Sequence, residues 1–291
     1  MAVLLLLSIV IMAINFFFPW LLSIYGSMSQ LLIYSAVVGF IGSFVSLFIS
    51  RWSAKKGYSI VLLDEKSAVE NEKLELVWNT VSRIARQEWI SMPEVGYYEN
   101  EDPNAFATGA SKNSSLVAVS TGLLNQMNKN EIEGVIGHEM AHILNGDMVT
   151  LTLIQWIMNT FVIFFSHIAS RAAVAFLSKW EEDEEIIGGF TYSLISIVFQ
   201  ILFWFLASFV VMWFSRMREY RADLGGAKYT SKAHMISGLK KLKKITDQAH
   251  SQSSTDPKMS AFMISEPDSM FSTHPSLDNR IKALEENYQL A

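Results

Sequence analysis

Apolar residues are gathered along the chain in four long runs that carry almost no charge. They cover residues 1–22, 30–50, 148–167 and 188–214. A helix rises 1.5 Å per residue, so about 20 residues cross the hydrocarbon core of a bilayer. The pattern predicts four transmembrane helices, paired as two hairpins. A secretory signal is the alternative for the first run, but no Lys or Arg precedes it and no clean small-residue cleavage pattern ends it.

Polar residues between the hairpins predict a soluble segment with helices and strands. Residues 67–89 carry apolar side chains at helical spacing among charged neighbours, as in an amphipathic helix. Three short runs rich in β-branched or aromatic residues follow, at Val95–Tyr98, Ala105–Thr108 and Leu116–Val119. They predict a small antiparallel sheet in which residues 109–115 form the loop of a hairpin.

The middle run of this sheet has a candidate role in substrate binding. Asn104, Ala105 and Phe106 belong to a predicted edge strand, and an extended peptide can add to such an edge as a further strand. An ordinary hairpin without a substrate role is the alternative.

Charge then orients the predicted domains. The chain divides into a transmembrane hairpin (1–56), a soluble part (57–147), a second hairpin (148–214) and a second soluble part (215–291). Basic residues follow the second and fourth spans, whereas the loop between the third and fourth is acidic. By the positive-inside rule both soluble parts face the cytosol.

Composition supports a membrane protein and restricts its chemistry. Hydrophobic residues make up 51% of the 291 residues, which is high for a soluble protein. The chain has no Cys, so a bound metal must be held by His and carboxylate side chains. The net charge of -5 argues against nucleic acid as the main partner.

The sequence His138-Glu139-Met-Ala-His142 is the strongest chemical signal in the chain. Asn130 with Glu133 predicts the start of a helix, and Asn145-Gly146 predicts its end. Residues four apart lie on one face of a helix, so both imidazoles can bind one metal. Glu139 lies about 100° round the helix and can act as a base on a water at that metal. Two ordinary histidines on a half-buried helix are the alternative.

A catalytic zinc site needs a third protein ligand and an open position for water. After His142 no further His occurs until His167, so a carboxylate must come from farther on. Glu219 supplies it, and Asp223, one turn later, can accept the second N–H of a zinc-binding imidazole. The predicted second hairpin starts after His142 and ends before Glu219, which brings the ligands to one membrane surface. The alternative is a helix face on which both acids pair with neighbouring arginines.

In this order the motifs resemble the HtpX family of bacterial membrane zinc endopeptidases, which is related to the CAAX prenyl proteases. The matching segments are His138-Glu139-x-x-His142, Arg218-Glu219-x-x-Ala-Asp223, Asn104–Gly109, and Thr273-His274-Pro275 with Arg280. The resemblance implies one zinc ion per subunit, held by His138, His142 and Glu219, with Glu139 catalytic. It also implies cleavage of misfolded membrane proteins in the bacterial inner membrane.

His274 is a further catalytic candidate because Pro275 restricts it to an extended backbone at the mouth of the last helix. There it can donate a hydrogen bond to the tetrahedral intermediate, with Arg280 as a supporting, substrate-binding group, as the resemblance also implies. A capping contact at the helix start is the alternative.

The sequence therefore predicts a mainly α integral membrane protein with a cytosolic α+β, zincin-like metalloprotease domain that carries a small antiparallel sheet. Its expected partners are polypeptide substrates and the lipid bilayer, and no feature indicates an oligomeric state. The competing class is a non-enzymatic metal-binding membrane protein, such as a transporter or an assembly factor. A transporter places ionisable residues within its spans, and these spans contain almost none.

Overall fold

The structure is a computed structural model that describes residues 28–177, 189–252 and 274–287. The predicted first span and the acidic residues 181–185 lie outside this part of the chain, as does Thr273. The described residues are mainly helical. The helices are α1 (Met28–Gly57), α2 (Glu65–Ala68), α3 (Glu72–Gln87), α4 (Thr121–Gln126), α5 (Lys129–Asn145), α6 (Asp147–Leu177), α7 (Gly189–Tyr229), α8 (Lys232–Gln252) and α9 (Leu277–Asn287).

Three of these helices contain segments long and apolar enough to cross a membrane. The segments are Gln30–Gly57, Asp147–Leu177 and Thr191–Tyr229, and they contain the predicted second, third and fourth spans. Each helix continues past the predicted end of its span, because charged residues end an apolar run without ending a helix. Thus α7 runs as one helix of 41 residues from the apolar run through Glu219 and Asp223. Four spans and a cytosolic orientation stay predictions.

The described part of the chain divides into two compact units, one within residues 1–46 and 151–211 and the other within 47–150 and 212–291. In the first unit, polar side chains join α1 to α6. Asn159 Nδ2 donates to Ser43 Oγ at 3.3 Å, and Trp156 Nε1 donates to the carbonyl oxygen of Ala36 at 2.9 Å. A Cβ on Gly39 would lie 3.0 Å from Thr160 Oγ1. A small residue and interhelical hydrogen bonds are typical of helix pairs in membranes.

A four-stranded sheet forms one side of the second unit. Its strands are β1 (Val61–Leu62), β2 (Glu94–Tyr98), β3 (Ala105–Ser111) and β4 (Ser114–Ser120), in the order β1-β2-β4-β3. The strands β3 and β4 form the predicted hairpin, with a shorter turn than the predicted loop at 109–115. Edge strand β3 begins at Ala105, as expected for the candidate peptide-binding strand.

The prediction of an all-antiparallel sheet is wrong, because β2 pairs with β4 in parallel. The hairpin reverses the chain direction, so β4 runs in the same direction as β2. Strand β4 also lies between β2 and β3, so the two strands that run in opposite directions to each other are not neighbours. The sheet is therefore mixed, and β3 is an edge strand among the residues that the structure describes.

Helix α5 packs against the sheet, α3 and α8 and forms the centre of the core. Its N-cap is Asn128, in a capping box with Glu131, and not the predicted Asn130 with Glu133. The helix therefore begins two residues earlier, and it ends at Gly146, as predicted, with φ 68°. The core around it is formed by apolar side chains of α3, α4, α5 and the sheet, among them Val81, Ile84, Val117, Val119, Leu123, Ile132, Ile136, Met140 and Ile143.

Glycine allows α7 to approach α5 closely beside His138. A Cβ on Gly226 would lie 2.7 Å from Met235 Sδ and 3.0 Å from the backbone nitrogen of His138. Any larger residue at this position would push the two helices apart. The close approach brings the side chains of α7 one to two turns upstream of Gly226 near those of α5.

Candidate metal centre

The three predicted ligands meet at one buried point. On α5, the Nε2 atoms of His138 and His142 lie 3.1 Å apart. Glu219 reaches them from α7, with Oε2 3.4 Å from His138 Nε2 and Oε1 3.4 Å from His142 Nε2. Each residue offers one ligand atom, and these atoms all lie within 4.8 Å of one another. The structure therefore brings together the three side chains that the sequence predicts as ligands.

These spacings fit a tetrahedral metal ion. Bonds from zinc to nitrogen and oxygen are about 2.0–2.2 Å long, and tetrahedral angles then place neighbouring ligand atoms roughly 3.3–3.5 Å apart. The three separations between ligand atoms of His138, His142 and Glu219 are 3.1, 3.4 and 3.4 Å. Two imidazole nitrogens and one carboxylate are also a donor set that zinc prefers. The residues present therefore fit a bound zinc ion.

Buried carboxylates hold both imidazoles in place. His138 Nδ1 lies 2.9 Å from Asp223 Oδ1, the contact predicted from the spacing of Asp223 and Glu219. His142 Nδ1 lies 2.6 Å from Asp147 Oδ2, and Asp147 is only 1% exposed. A carboxylate that accepts the Nδ1–H of an imidazole turns the lone pair of Nε2 towards the metal position.

Sequence reasoning missed Asp147, which it treated only as the last residue of the first soluble part. The available signal was a carboxylate five residues after His142, directly after the glycine that ends α5. The left-handed conformation at Gly146 breaks the helix and starts α6 at Asp147. This turn brings the carboxylate back onto the ring of His142.

Arg280 supports the ligand set from α9. It is 5% exposed, and its Nε and NH2 groups donate to Asp223 Oδ2 and Oδ1 at 2.8 and 2.6 Å. Its NH1 group also lies 3.5 Å from Glu219 Oε2. This fork geometry orients Asp223, which in turn contacts His138. A direct contact between Arg280 and substrate stays a prediction.

The charges around His138 favour its protonated form when no metal is bound. Burial alone would lower the pKa of this imidazole, but hydrogen bonds to Asp223 and Glu219 raise it to about 9. Burial likewise acts against protonation of His142, while hydrogen bonds to Asp147 and Glu219 raise the pKa. The surrounding carboxylates therefore favour positive charge at this point, whether it is carried by protons or by a metal ion.

A cavity of about 300 Å³ opens beside the three candidate ligands. Glu139 lines it from α5, and Asn104, Ala105 and Phe106 line it from β3. His274 also lines it, with Nδ1 3.1 Å from Glu219 Oε2 and a side chain that is 38% exposed. The predicted base, the predicted edge strand and the predicted electrophile thus border one space.

The rest of the cavity wall is mostly apolar. Its side chains come from α4, α5, α6 and α8: Leu123, Val135, Met148, Met235, Leu239 and Leu242. This wall can bury an apolar side chain next to the ligand set, and such burial is favourable by about 25 cal/mol per Å².

Comparison with known proteins identifies relatives over nearly the whole chain. Residues 71–288 match the family model described as peptidase family M48. Protease HtpX of Tolumonas auensis is 46% identical over 290 residues, which are 98% of this chain and 96% of that protein. The protease HtpX homolog of Neisseria meningitidis serogroup B is 49% identical over 261 residues, which are 89% of this chain and 88% of that protein.

A solved structure also has a similar fold. S. mikatae Ste24p matches with a TM-score of 0.62 at 17% sequence identity, over 96% of this chain. The chain spans 65% of the length of that structure. This likeness concerns the fold alone.

Proposed function

Because the chain belongs to peptidase family M48 and is a membrane metalloprotease, we propose that it is a zinc-dependent endopeptidase whose metal is held by His138, His142 and Glu219. The family membership bears out the resemblance drawn from the motifs, and it favours an enzyme over a non-enzymatic metal-binding protein. One observation carries the assignment of the site. The candidate ligand atoms lie 3.1–3.4 Å apart at the wall of a cavity that residues of β3 also line.

Zinc, when bound, polarises the scissile carbonyl and lowers the pKa of water towards about 7. Three protein ligands leave a fourth position open, as in catalytic and not in closed structural sites. Asp223 and Asp147 keep the Nε2 atoms of both imidazoles directed to that centre.

Glu139 acts as general base and then as general acid. Its carboxylate takes a proton from the attacking water and delivers it to the amine that leaves. It lines the cavity directly beside His138 and is not one of the three ligands, so it is available for proton transfer.

His274 stabilises the negative charge that develops on the carbonyl oxygen. Its ring lines the cavity beside Glu219, and its side chain is partly exposed. A positioned donor of this kind contributes most where charge appears only in the transition state.

The substrate binds as an added strand at the edge of β3. Asn104, Ala105 and Phe106 lie along the cavity, and the outer backbone groups of an edge strand can pair with an extended peptide. Such pairing uses hydrogen bonds to the main chain of the substrate, so substrates of many sequences can bind provided that the bound segment is unfolded. This property supports misfolded or damaged membrane proteins as the substrates.

The site faces the cytosol, and the protein lies in the bacterial inner membrane as a multi-pass protein. Support comes from Lys55 and Lys56 in the last turn of α1 and from the bacterial HtpX relatives. The acidic run at 181–185 belongs to the opposite side in this arrangement.

A degradation assay tests the proposal. The purified protein is incubated with an unfolded membrane protein in detergent, with and without a chelator, and the products are sequenced by mass spectrometry. We expect internal cleavage that the chelator abolishes and zinc restores. Cleavage that persists after complete removal of metal would contradict the proposed mechanism.

A further inference from the structure

Arg218 lies in the wall of the cavity and has no role in the proposed reaction. It precedes Glu219 on α7 and borders the cavity together with Asn104 and Glu139. Its side chain is 16% exposed, so a positive charge is largely withdrawn from solvent. Charged groups in such places are normally paired or serve a ligand.

The guanidinium of Arg218 has more donors than the described residues use. A guanidinium carries five N–H donors. Among the described residues, the ion pair of Arg218 is loose, with NH2 3.5 Å from Glu219 Oε1. Its Nε is buried and has no acceptor within the part of the chain that the structure describes.

Arg280 shows the opposite situation in the same site. Both its Nε and its NH2 groups donate to Asp223 at 2.8 Å or less. One arginine is thus committed to the ligand set, whereas the other lines the cavity with only a loose ion pair among the described residues. A charged group that is largely withdrawn from solvent and poorly paired is unfavourable, so a ligand in the cavity that supplies acceptors to this guanidinium would bind well.

We propose that Arg218 binds backbone carbonyl oxygens of the polypeptide substrate beside the scissile bond; this inference rests on the proposed function. An internal segment that pairs with β3 brings neutral backbone carbonyl oxygens to the cavity that Arg218 lines. A free C-terminus would bring a carboxylate instead. In this proposal Arg218 recognises the main chain of the internal segment.

Peptide affinity, measured in a protein that cannot hydrolyse, tests this assignment. The background is the zinc-loaded Glu139→Gln variant, and the added changes are Arg218→Gln, Arg218→Lys and, as a control, Arg86→Gln. Arg86 is an exposed arginine of α3 outside the cavity. The probe is a fluorescent peptide with either a free or an amidated C-terminus, followed by anisotropy, and zinc content and thermal unfolding are recorded for each protein.

We expect Arg218→Gln to weaken the binding of both peptides by about tenfold, as for a lost hydrogen bond to a charged group. Arg218→Lys should lose less, because it keeps the charge but not the fork, and Arg86→Gln should bind as the background does. Zinc content should be equal in all of them. If Arg218→Gln unfolds, the peptide affinity of Arg218→Lys relative to the background tests the proposal instead.

Three results would overturn the inference. The first is unchanged peptide affinity in Arg218→Gln. The second is loss of zinc from that variant, which would mean that Arg218 acts through Glu219. The third is weaker binding of the free-acid peptide alone, which would indicate a carboxylate pocket. Failure of the proposed function appears separately, because wild-type protein would then show no chelator-sensitive cleavage of the same peptide.

Discussion

Replacing Asp147 by Asn tests the part of the metal centre that the sequence did not reveal. Asp147 Oδ2 lies 2.6 Å from His142 Nδ1, in a position that is 1% exposed. Asn keeps the size and an acceptor oxygen, so the change replaces a charge-assisted hydrogen bond by a neutral one. Charge-assisted bonds contribute about 1.5–3 kcal/mol and neutral ones about 0.5–1.5 kcal/mol.

The difference of about 1–2 kcal/mol corresponds to roughly 5–30-fold in zinc affinity, which overlaps the range of about 10–100-fold for residues that support metal ligands. The affinity is measured by competition with a fluorescent zinc chelator. Asp247→Asn on α8, an exposed carboxylate, serves as the matched control. Activity of Asp147→Asn should return when zinc is added in excess, because the catalytic groups are unchanged. Unaltered zinc affinity would show that Asp147 does not position His142.

Further experiments test the catalytic residues, the charge of His138 and the side-chain preference of the cavity. Glu139→Gln should bind zinc normally and lose proteolysis by several orders of magnitude, whereas comparable activity would remove Glu139 from the mechanism. His274→Phe should keep zinc and lower kcat and kcat/KM alike by about 100-fold, and an effect on KM alone would assign His274 to binding. Metal-free protein should lose thermal stability as pH rises from about 6.5 to 9. The pKa of His138 is raised to about 9 in the folded protein, so the protonated imidazole stabilises the fold and this stabilisation is lost as the imidazole loses its proton. A constant Tm over this range would contradict this. Leu242→Trp should fill the apolar part of the cavity and shift cleavage towards sites with small residues next to the scissile bond, as mapped by mass spectrometry. An unchanged cleavage pattern would exclude this part of the cavity as a subsite.

Helix periodicity explains why much of the metal centre can be predicted from sequence. His138 and His142 are one turn apart on α5, and Glu219 and Asp223 are one turn apart on α7, so each pair lies on one face whatever the rest of the fold does. The absence of Cys and of a nearby third His then leaves a carboxylate as the remaining ligand. These steps need only local geometry and composition.

The missed features depend on contacts that local patterns do not encode. The parallel pairing of β2 with β4 depends on which strand lies in the middle of the sheet, and the order of the strands along the chain does not reveal this. Asn128 and Asn130 are equally good caps in isolation, and the choice is made where the carboxylate of Glu131 accepts a hydrogen bond from the backbone N–H of Asn128. Asp147 reaches His142 only because Gly146 adopts a left-handed conformation.

The most direct test of the central claim is a zinc titration of metal-stripped protein, with zinc binding and proteolysis recorded in the same samples. Wild-type protein should bind one zinc ion per chain. The rate of proteolysis should rise in proportion to the amount of bound zinc until one equivalent is bound. Glu219→Ala should show neither tight binding nor recovery, because it removes one of the three proposed ligands. Full proteolysis without metal, or unchanged zinc binding in Glu219→Ala, would contradict the account.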